Sequence, residues 1–205
     1  MCGWWKRRRK APARPGPFMH LTPGQRYRVV CAFVDHDGIV HSVGETWRFL
    51  RSDFLPYEDG LSLFVAMPGG AERQIRLQWR PEAEGPVIDA LDRHVLPVSD
   101  GPGDHALLLT RDSVGLADDV RSPHHFLLEI AGDADAVMVA KAILAAGYPA
   151  RSGRHPTWSF DWAGAGVLLG YRDDRPFVKA QGSPPRAGQA SDVDRLHLTW
   201  LGGIA

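Results

Sequence analysis

Residues 21–79 read LTPGQRYRVVCAFVDHDGIVHSVGETWRFLRSDFLPYEDGLSLFVAMPGGAERQIRLQW, and this stretch decides the fold of the N-terminal half of the chain. Turn residues interrupt it about every 8–12 residues, and aromatic and β-branched residues fill the gaps, which is typical of a compact all-β module. Asp37-Gly38 and Asp59-Gly60 supply the positive φ that hairpin turns require. The stretch therefore predicts a meander sheet or a small β-barrel.

The segments around this stretch complete the predicted domain organisation. A strand is predicted over residues 45–50, with a break at residues 54–56, and a single helix over 81–95 follows the last strand because Pro81 is tolerated in a first helical turn. The composition of residues 99–104, SDGPGD, is typical of a linker. We therefore expect a tail over 1–18, a β-rich module over 19–98, a linker over 99–104 and a second module over 105–205.

The second module mixes both kinds of element. Apolar strands are predicted over 105–111 and 124–130, and a helix capped by Asp133 or Asp135 is predicted over 136–146. Further strands are predicted over 157–162, 167–171, 177–180 and 195–200. We expect an antiparallel sheet with one main helix, so the predicted class of the whole chain is α+β.

Charge is distributed unevenly along the chain. Residues 1–18 hold six of the 24 Lys and Arg residues and no acid, which leaves 18 basic against 24 acidic residues from Met19 onward, a net charge of −6. An acidic body argues against a broad phosphate-binding face, so nucleic acid is expected to bind only through the basic tail. The same acidity favours a basic protein partner.

The cysteine content and the length of the apolar runs indicate the cellular compartment in which the protein is expected. Two cysteines, Cys2 and Cys31, do not make a disulfide framework, so we expect a reducing cytoplasm. No apolar run approaches the length of a membrane span, and none is expected.

Two resemblances to known families accompany these patterns. Residues 21–95 resemble a small uncharacterised bacterial domain, through PGxxYRV, DxDGxxHxVGExW, FLPYxDG and IRLQW as they stand here. That resemblance implies a β module with one helix and no assigned chemistry. Residues 105–200 resemble a second small bacterial domain of unknown function, through Asp112-Ser113-Val114, Asp118-Asp119-Val120, Pro123-His124, Tyr148-Pro149 and Thr157-Trp158. Fused domains of this kind look similar to immunity proteins that guard bacteria against their own toxins.

Acidic loops supply the candidate site residues. Carboxylates and imidazoles in one loop can hold a metal or pair a general acid with a base, but the spacing here matches no metal signature. The same carboxylates could instead face the basic cleft of a partner, or simply cap turns. The predicted binding residues are Asp112, Asp118, Asp119, His124, His125, Glu58 and Asp59. A second cluster, Asp35-His36-Asp37 with His41, is interpreted as a solvated hairpin tip.

These observations favour a non-enzymatic protein-binding protein, with a toxin as one possible basic partner and immunity or regulation as its role. No catalytic residue, metal or cofactor is predicted. The alternative is a metal-dependent or acid/base enzyme that uses the loop from Asp112 to His125.

Overall fold

The computed structural model describes residues 16–101, 103–114, 124–149, 151, 155–162, 164–181 and 194–203. Within these residues, strands account for 52% and helices for 12%, so the fold is mostly β. The predicted α+β class, with one helix completing each module, is therefore wrong.

The N-terminal half forms a five-stranded antiparallel sheet in the order β6-β5-β4-β1-β7. Its core contains alternate residues of these strands, among them Tyr27, Trp47, Leu63 and Ile75. A separate pair of short strands, β2 and β3, stands beside the sheet. The elements are β1 (Arg26–Val29), β2 (Phe33–Val34), β3 (Val40–His41), β4 (Thr46–Leu55), β5 (Gly60–Ala66), β6 (Glu72–Gln78), α1 (Gly85–Asp89), α2 (Leu91–His94) and β7 (Val95–Val98).

The helix predicted over residues 81–95 does not form as one element. Gly85 and Pro86 open α1, and Ala90 leaves helical geometry with φ −115° and ψ 27°, which separates α1 from α2. From Val95 onward the chain is extended and pairs with β1. The β-branched valines gain more from this pairing than from another helical turn, because strand preference depends on the neighbours that a sheet supplies.

The C-terminal half forms a six-stranded sheet in the order β12-β11-β10-β13-β8-β9. The predicted antiparallel sheet is incorrect at one position, since β13 pairs in parallel with β8. The elements are β8 (Asp104–Arg111), β9 (His125–Ala131), α3 (Ala136–Ala145), β10 (Pro156–Trp162), β11 (Ala165–Arg172), β12 (Arg175–Gln181) and β13 (Arg195–Gly203).

The helix α3 forms as predicted and covers this second sheet. Asp135 caps it, because its carboxylate accepts a hydrogen bond from the backbone N–H of Met138 at 2.7 Å. Val139 and Ile143 are fully buried against strand residues that include Trp158 and Leu169. No helix among the described residues is long and apolar enough to cross a membrane.

Charged side chains connect the two sheets. Arg28 on β1 pairs with Asp194, next to β13, at 2.7 Å, and Asp92 on α2 pairs with Arg195 on β13 at 2.7 Å. The two hydrophobic cores lie on either side of residues 99–104. The domain boundaries given above stay a prediction.

Candidate binding surface

The end of the β4–β5 hairpin exposes an unusual group of apolar side chains. Tyr57 is 100% exposed, Leu55 56%, Phe54 46% and Trp79, just after β6, 38%. We call these four residues the aromatic surface. Apolar side chains on a folded surface are ordinary when scattered, but contiguous ones mark interaction sites.

Hydrogen bonds hold the turn of this hairpin to the end of β6. The Glu58 N–H donates to the Leu55 carbonyl at 3.1 Å, and the Trp79 N–H donates to the Asp59 carbonyl at 2.7 Å. The Asp59 carboxylate pairs with Arg80 Nε at 3.1 Å, while Asp59 itself has φ +49°. Tyr57 is therefore presented from a fixed turn and not from a loose loop, which reduces the entropy lost on binding.

Trp79 joins the hairpin to the rest of the surface. Its ring meets Phe54 edge to face at 6.1 Å between centroids, and meets Phe18 at 6.4 Å on another side. Its Nε1–H donates to the carboxylate of Asp89 at 2.8 Å. The indole is thus oriented while a third of its area stays accessible, as is typical of an aromatic residue at an interface.

The residues that flank the aromatic surface are mainly acidic. Glu58 and Glu82 are exposed and form no ion pair with any residue that the structure describes. Six carboxylates and two guanidinium groups stand on the ends of the β4–β5 hairpin and on the 79–89 segment: Asp53, Glu58, Asp59, Glu82, Glu84, Asp89, Arg51 and Arg80. An apolar centre with a charged border has the composition of a protein interface, here one with a net negative border.

The predicted site residues do not converge on one place. Glu58 and Asp59 lie in the hairpin turn, beside the aromatic surface. Asp118 and Asp119 lie outside the described residues. Asp112 and His125 point to different partners, as the next paragraphs show, and the backbone carbonyl of His124 accepts a hydrogen bond from the Tyr148 hydroxyl at 2.9 Å.

Asp112 closes the end of β8 against β13. Its carboxylate accepts a hydrogen bond from the Trp200 N–H at 2.9 Å and lies 3.0 Å from Nε2 of His197. The pKa of Asp112 is lowered, first by the Trp200 backbone bond and then by His197. These contacts explain Asp112 as a residue that fastens two strands.

Replacing Asp112 by alanine tests that structural role. We expect Asp112→Ala to lower the free energy of unfolding by about 1–2 kcal/mol, since the Trp200 N–H loses its acceptor. Urea unfolding at neutral pH measures the change. Glu129→Ala is the control, because Glu129 is an exposed carboxylate on β9 with no described ion pair. An unchanged stability in Asp112→Ala would contradict the role.

His125 belongs to a cluster between the two sheets. Its ring lies 5.8 Å from the ring of His20, and its Nε2 lies 3.7 Å from the Asp92 carboxylate. The pKa of Asp92 is lowered by His125 first and by Arg195 as well. Sequence reasoning missed His20, Asp92 and Arg195, because residues far apart in the chain meet only across the two sheets.

The second ligand cluster, at the β2–β3 turn, is a buried structural network. His41 is fully buried, with Nε2 3.4 Å from the Asp35 carboxylate and Nδ1 3.2 Å from that of Glu45. The other Asp35 oxygen accepts the N–H groups of Asp37 and Ile39, which fixes the turn. The interpretation as a solvated tip is therefore wrong for Asp35 and His41.

The neighbouring side chains of that turn face other partners. His36 lies 3.8 Å from Glu84, and Asp37 pairs with Arg76 at 2.9 Å. Across the part of the chain that the structure describes, no three His, Cys, Asp or Glu residues are grouped so that they could hold a metal ion.

The N-terminal half is thus a small antiparallel β domain with an exposed aromatic hairpin and a buried Asp–His–Glu network. Residues 18–94 match the model of a domain of unknown function (DUF3601). A solved structure of an integron cassette protein from the mobile metagenome of Vibrio cholerae is 44% identical, with 38% of this chain and 86% of that chain covered and a TM-score of 0.37. The comparison with curated proteins found no match.

The match over residues 18–94 supports the first resemblance, that to a small uncharacterised domain family. The match begins at Phe18 and ends at His94, close to the predicted span of 21–95. Residues that carry the resemblance build the network just described, since Phe33 stacks on His41 at 4.6 Å and His41 contacts Asp35 and Glu45. Other such residues, Phe54 to Tyr57, form the hairpin end.

Proposed function

We propose that this protein is a non-enzymatic binding protein whose partner is a basic protein. The observation that supports it best is the fully exposed Tyr57, held in a fixed turn beside Phe54, Leu55 and Trp79. Interfaces draw most of their affinity from a few such aromatic anchors. The acidic border of the surface and the net charge of −6 from Met19 onward, 18 basic against 24 acidic residues, favour a positively charged partner.

A bacterial toxin is one class of protein that meets this description, and inhibition of such a toxin is the biological role that we propose. An immunity protein needs no catalytic group; it needs a rigid surface complementary to the toxin. The enzyme alternative receives no support from the described part of the loop, because Asp112 and His125 face separate structural partners.

Capture of the partner tests the proposal. The full chain, tagged and immobilised, is incubated with nuclease-treated lysate of its own host, and bound proteins are identified by mass spectrometry. We expect one stoichiometric protein with a basic surface. If no protein in the lysate binds to the immobilised chain at low salt, the proposal is contradicted.

Charge reversal at the border tests the electrostatic part. With the captured partner, Glu58→Lys combined with Glu82→Lys should weaken binding about tenfold at low salt and flatten its salt dependence, since rim charges act mainly on association. Glu129→Lys is the matched control on the other sheet and should bind as the wild type does. Equal affinity of the double variant and the control would contradict a basic partner.

A further inference from the structure

A cavity of about 520 Å³ lies between α3 and the β11–β12 hairpin, far along the chain from the aromatic surface. The helix contributes Val137, Lys141 and Leu144, which are spaced i, i+4 and i+7 and so share one face. The opposite face of α3, with Val139 and Ile143, is buried in the core. The cavity is therefore bounded by a helix that the core already holds in place.

The sheet side of the cavity is apolar. Pro176 on β12 stands opposite Tyr171 on β11, and Val178 stands opposite Leu169, so these residues lie on one face of the hairpin. Pro176, Val178, Phe177 and Tyr171 all line the cavity. Volumes of about 300–1,000 Å³ with apolar walls and a few polar groups are typical of sites for small molecules.

Two cationic side chains stand at this cavity. The guanidinium carbon of Arg151 lies 4.0 Å from the centre of the Tyr171 ring, and its Nη2 donates to the Tyr171 hydroxyl at 3.1 Å. Stacking on the ring fixes the guanidinium plane and leaves its other N–H donors for a ligand. Tyr171 itself is only 5% exposed, so this platform is rigid.

Lys141 has no comparable internal partner. It is exposed and forms no hydrogen bond or ion pair with any residue in the described ranges, although it stands on the cavity face of α3. Asp174, in the β11–β12 turn, is the single carboxylate among the lining residues that the structure describes. The lining thus carries two positive charges against one negative charge, and the surplus favours an anion.

We propose that this cavity binds a small amphipathic anion, namely an apolar chain or ring that ends in one carboxylate or phosphate. The apolar body lies against Val137, Leu144 and Val178. The anionic group pairs with Lys141 and with the free N–H groups of Arg151, which suit a planar or tetrahedral oxyanion. This site is independent of the aromatic surface and of its partner.

Isothermal titration calorimetry on the full chain tests the site with octanoate, octyl phosphate and the neutral 1-octanol. We expect saturable binding of at least one of the two anions, about tenfold tighter than that of 1-octanol. The tighter of the two anions identifies the headgroup class. Absence of saturable binding by both anions, or equal affinity for the anions and 1-octanol, would overturn the proposal.

Variants locate the binding. Lys141→Met and Arg151→Met should each weaken binding of the preferred anion about tenfold and leave that of 1-octanol unchanged. Lys179→Met is the control, since Lys179 is an exposed lysine on β12 that does not line the cavity. If Arg151→Met proves unstable, Lys141→Met alone tests whether the anion binds in this cavity. Lys141 has no described polar partner, so its replacement breaks no hydrogen bond or ion pair within the described residues. Equal weakening in Lys179→Met and Lys141→Met would overturn the assignment.

Discussion

The protein should lose stability steeply as the pH falls from 6.5 towards 4, because His20 is buried in its neutral form. Burial is the main cause that lowers the pKa of His20 from 6.5 to about 4, against the hydrogen bond to the Val95 carbonyl, which raises it. The charges of His125 and Arg195 lower this pKa further, while that of Asp92 raises it.

The geometry around His20 explains why its imidazole ring stays neutral until the pH is low. Nε2 of His20 lies 2.7 Å from the Val95 carbonyl, so it carries the hydrogen of the neutral ring. Nδ1 is buried and has no hydrogen-bond partner among the described residues. A second proton would have to sit on Nδ1, where no acceptor receives it and where Arg195 and His125 stand nearby.

The sign of the pH effect follows from the two pKa values. The unfolded chain protonates His20 near pH 6.5, whereas the folded protein does so near pH 4, so in this window the unfolded state binds more protons. The stabilisation is complete above pH 6.5 and is lost as the pH falls. A difference of roughly two to three pKa units corresponds to about 3 kcal/mol.

Urea unfolding at pH 7, 6, 5 and 4.5 measures this loss. The matched variant is His20→Gln, whose amide N–H can still donate to the Val95 carbonyl but does not titrate. We expect it to keep a nearly constant stability over the same range. Asp92 does not affect the comparison of wild type with His20→Gln in this pH range. Its pKa is lowered from the ordinary value of 3.8, so the stability that its ionised carboxylate contributes is lost only as the pH falls below 3.8. An equal acid loss in wild type and His20→Gln would contradict this account.

A second large effect is expected at the aromatic surface. Tyr57→Ala combined with Leu55→Ala should weaken binding of the captured partner about 100-fold, since aromatic anchors at an interface cost about 2 kcal/mol or more when truncated. Both side chains are mostly exposed, so the free energy of unfolding should change little. Calorimetric titration of wild type and variant measures the ratio.

The chain offers a matched control for this double variant. Val40 and Val43 are 61% and 65% exposed, around the β2–β3 pair, and so are also exposed apolar side chains. Val40→Ala combined with Val43→Ala removes a similar kind of apolar group and should leave the affinity unchanged. A larger loss in this control than in the Tyr57 and Leu55 variant would move the interface to the β2–β3 side.

The alternation of apolar and polar residues was sufficient to predict much of the sheet. Ile75 and Leu77 alternate with Arg76 and Gln78, and the burial of β6 follows that period of two. The capped, alanine-rich helix α3 was predicted from the sequence in the same way. Local patterns of this kind depend on a few neighbouring residues, which is why the sequence reveals them.

Pairings that depend on distant residues could not be predicted in this way. The predicted helix included Val95, whereas residues 95–98 form a strand because they pair with β1. The local sequence of β13 or β8 gives no indication that these two strands pair in parallel. The fold class was wrong for this reason, as the strand content was underestimated and the helices overestimated.

The candidate site was missed for a related reason. Phe54 and Leu55 were predicted to break the sheet, whereas β4 runs on to Leu55. Apolar residues in a sequence are expected to be buried. The segment Phe54-Leu55-Pro56-Tyr57 therefore gives no sign that Tyr57 is fully exposed. Glu58 and Asp59 were predicted as binding residues because charge is visible in the sequence, and they flank the apolar residues to which we assign the binding energy.

Hydrogen–deuterium exchange of the full chain, with and without the captured partner, tests the central claim most directly. The account predicts slower exchange on binding at residues 57–60 and at 79–83, with unchanged exchange at residues 40–43. Slower exchange confined to other parts of the chain, with residues 57–60 and 79–83 unaffected, would contradict the assignment of the aromatic surface as the site where this protein binds its partner.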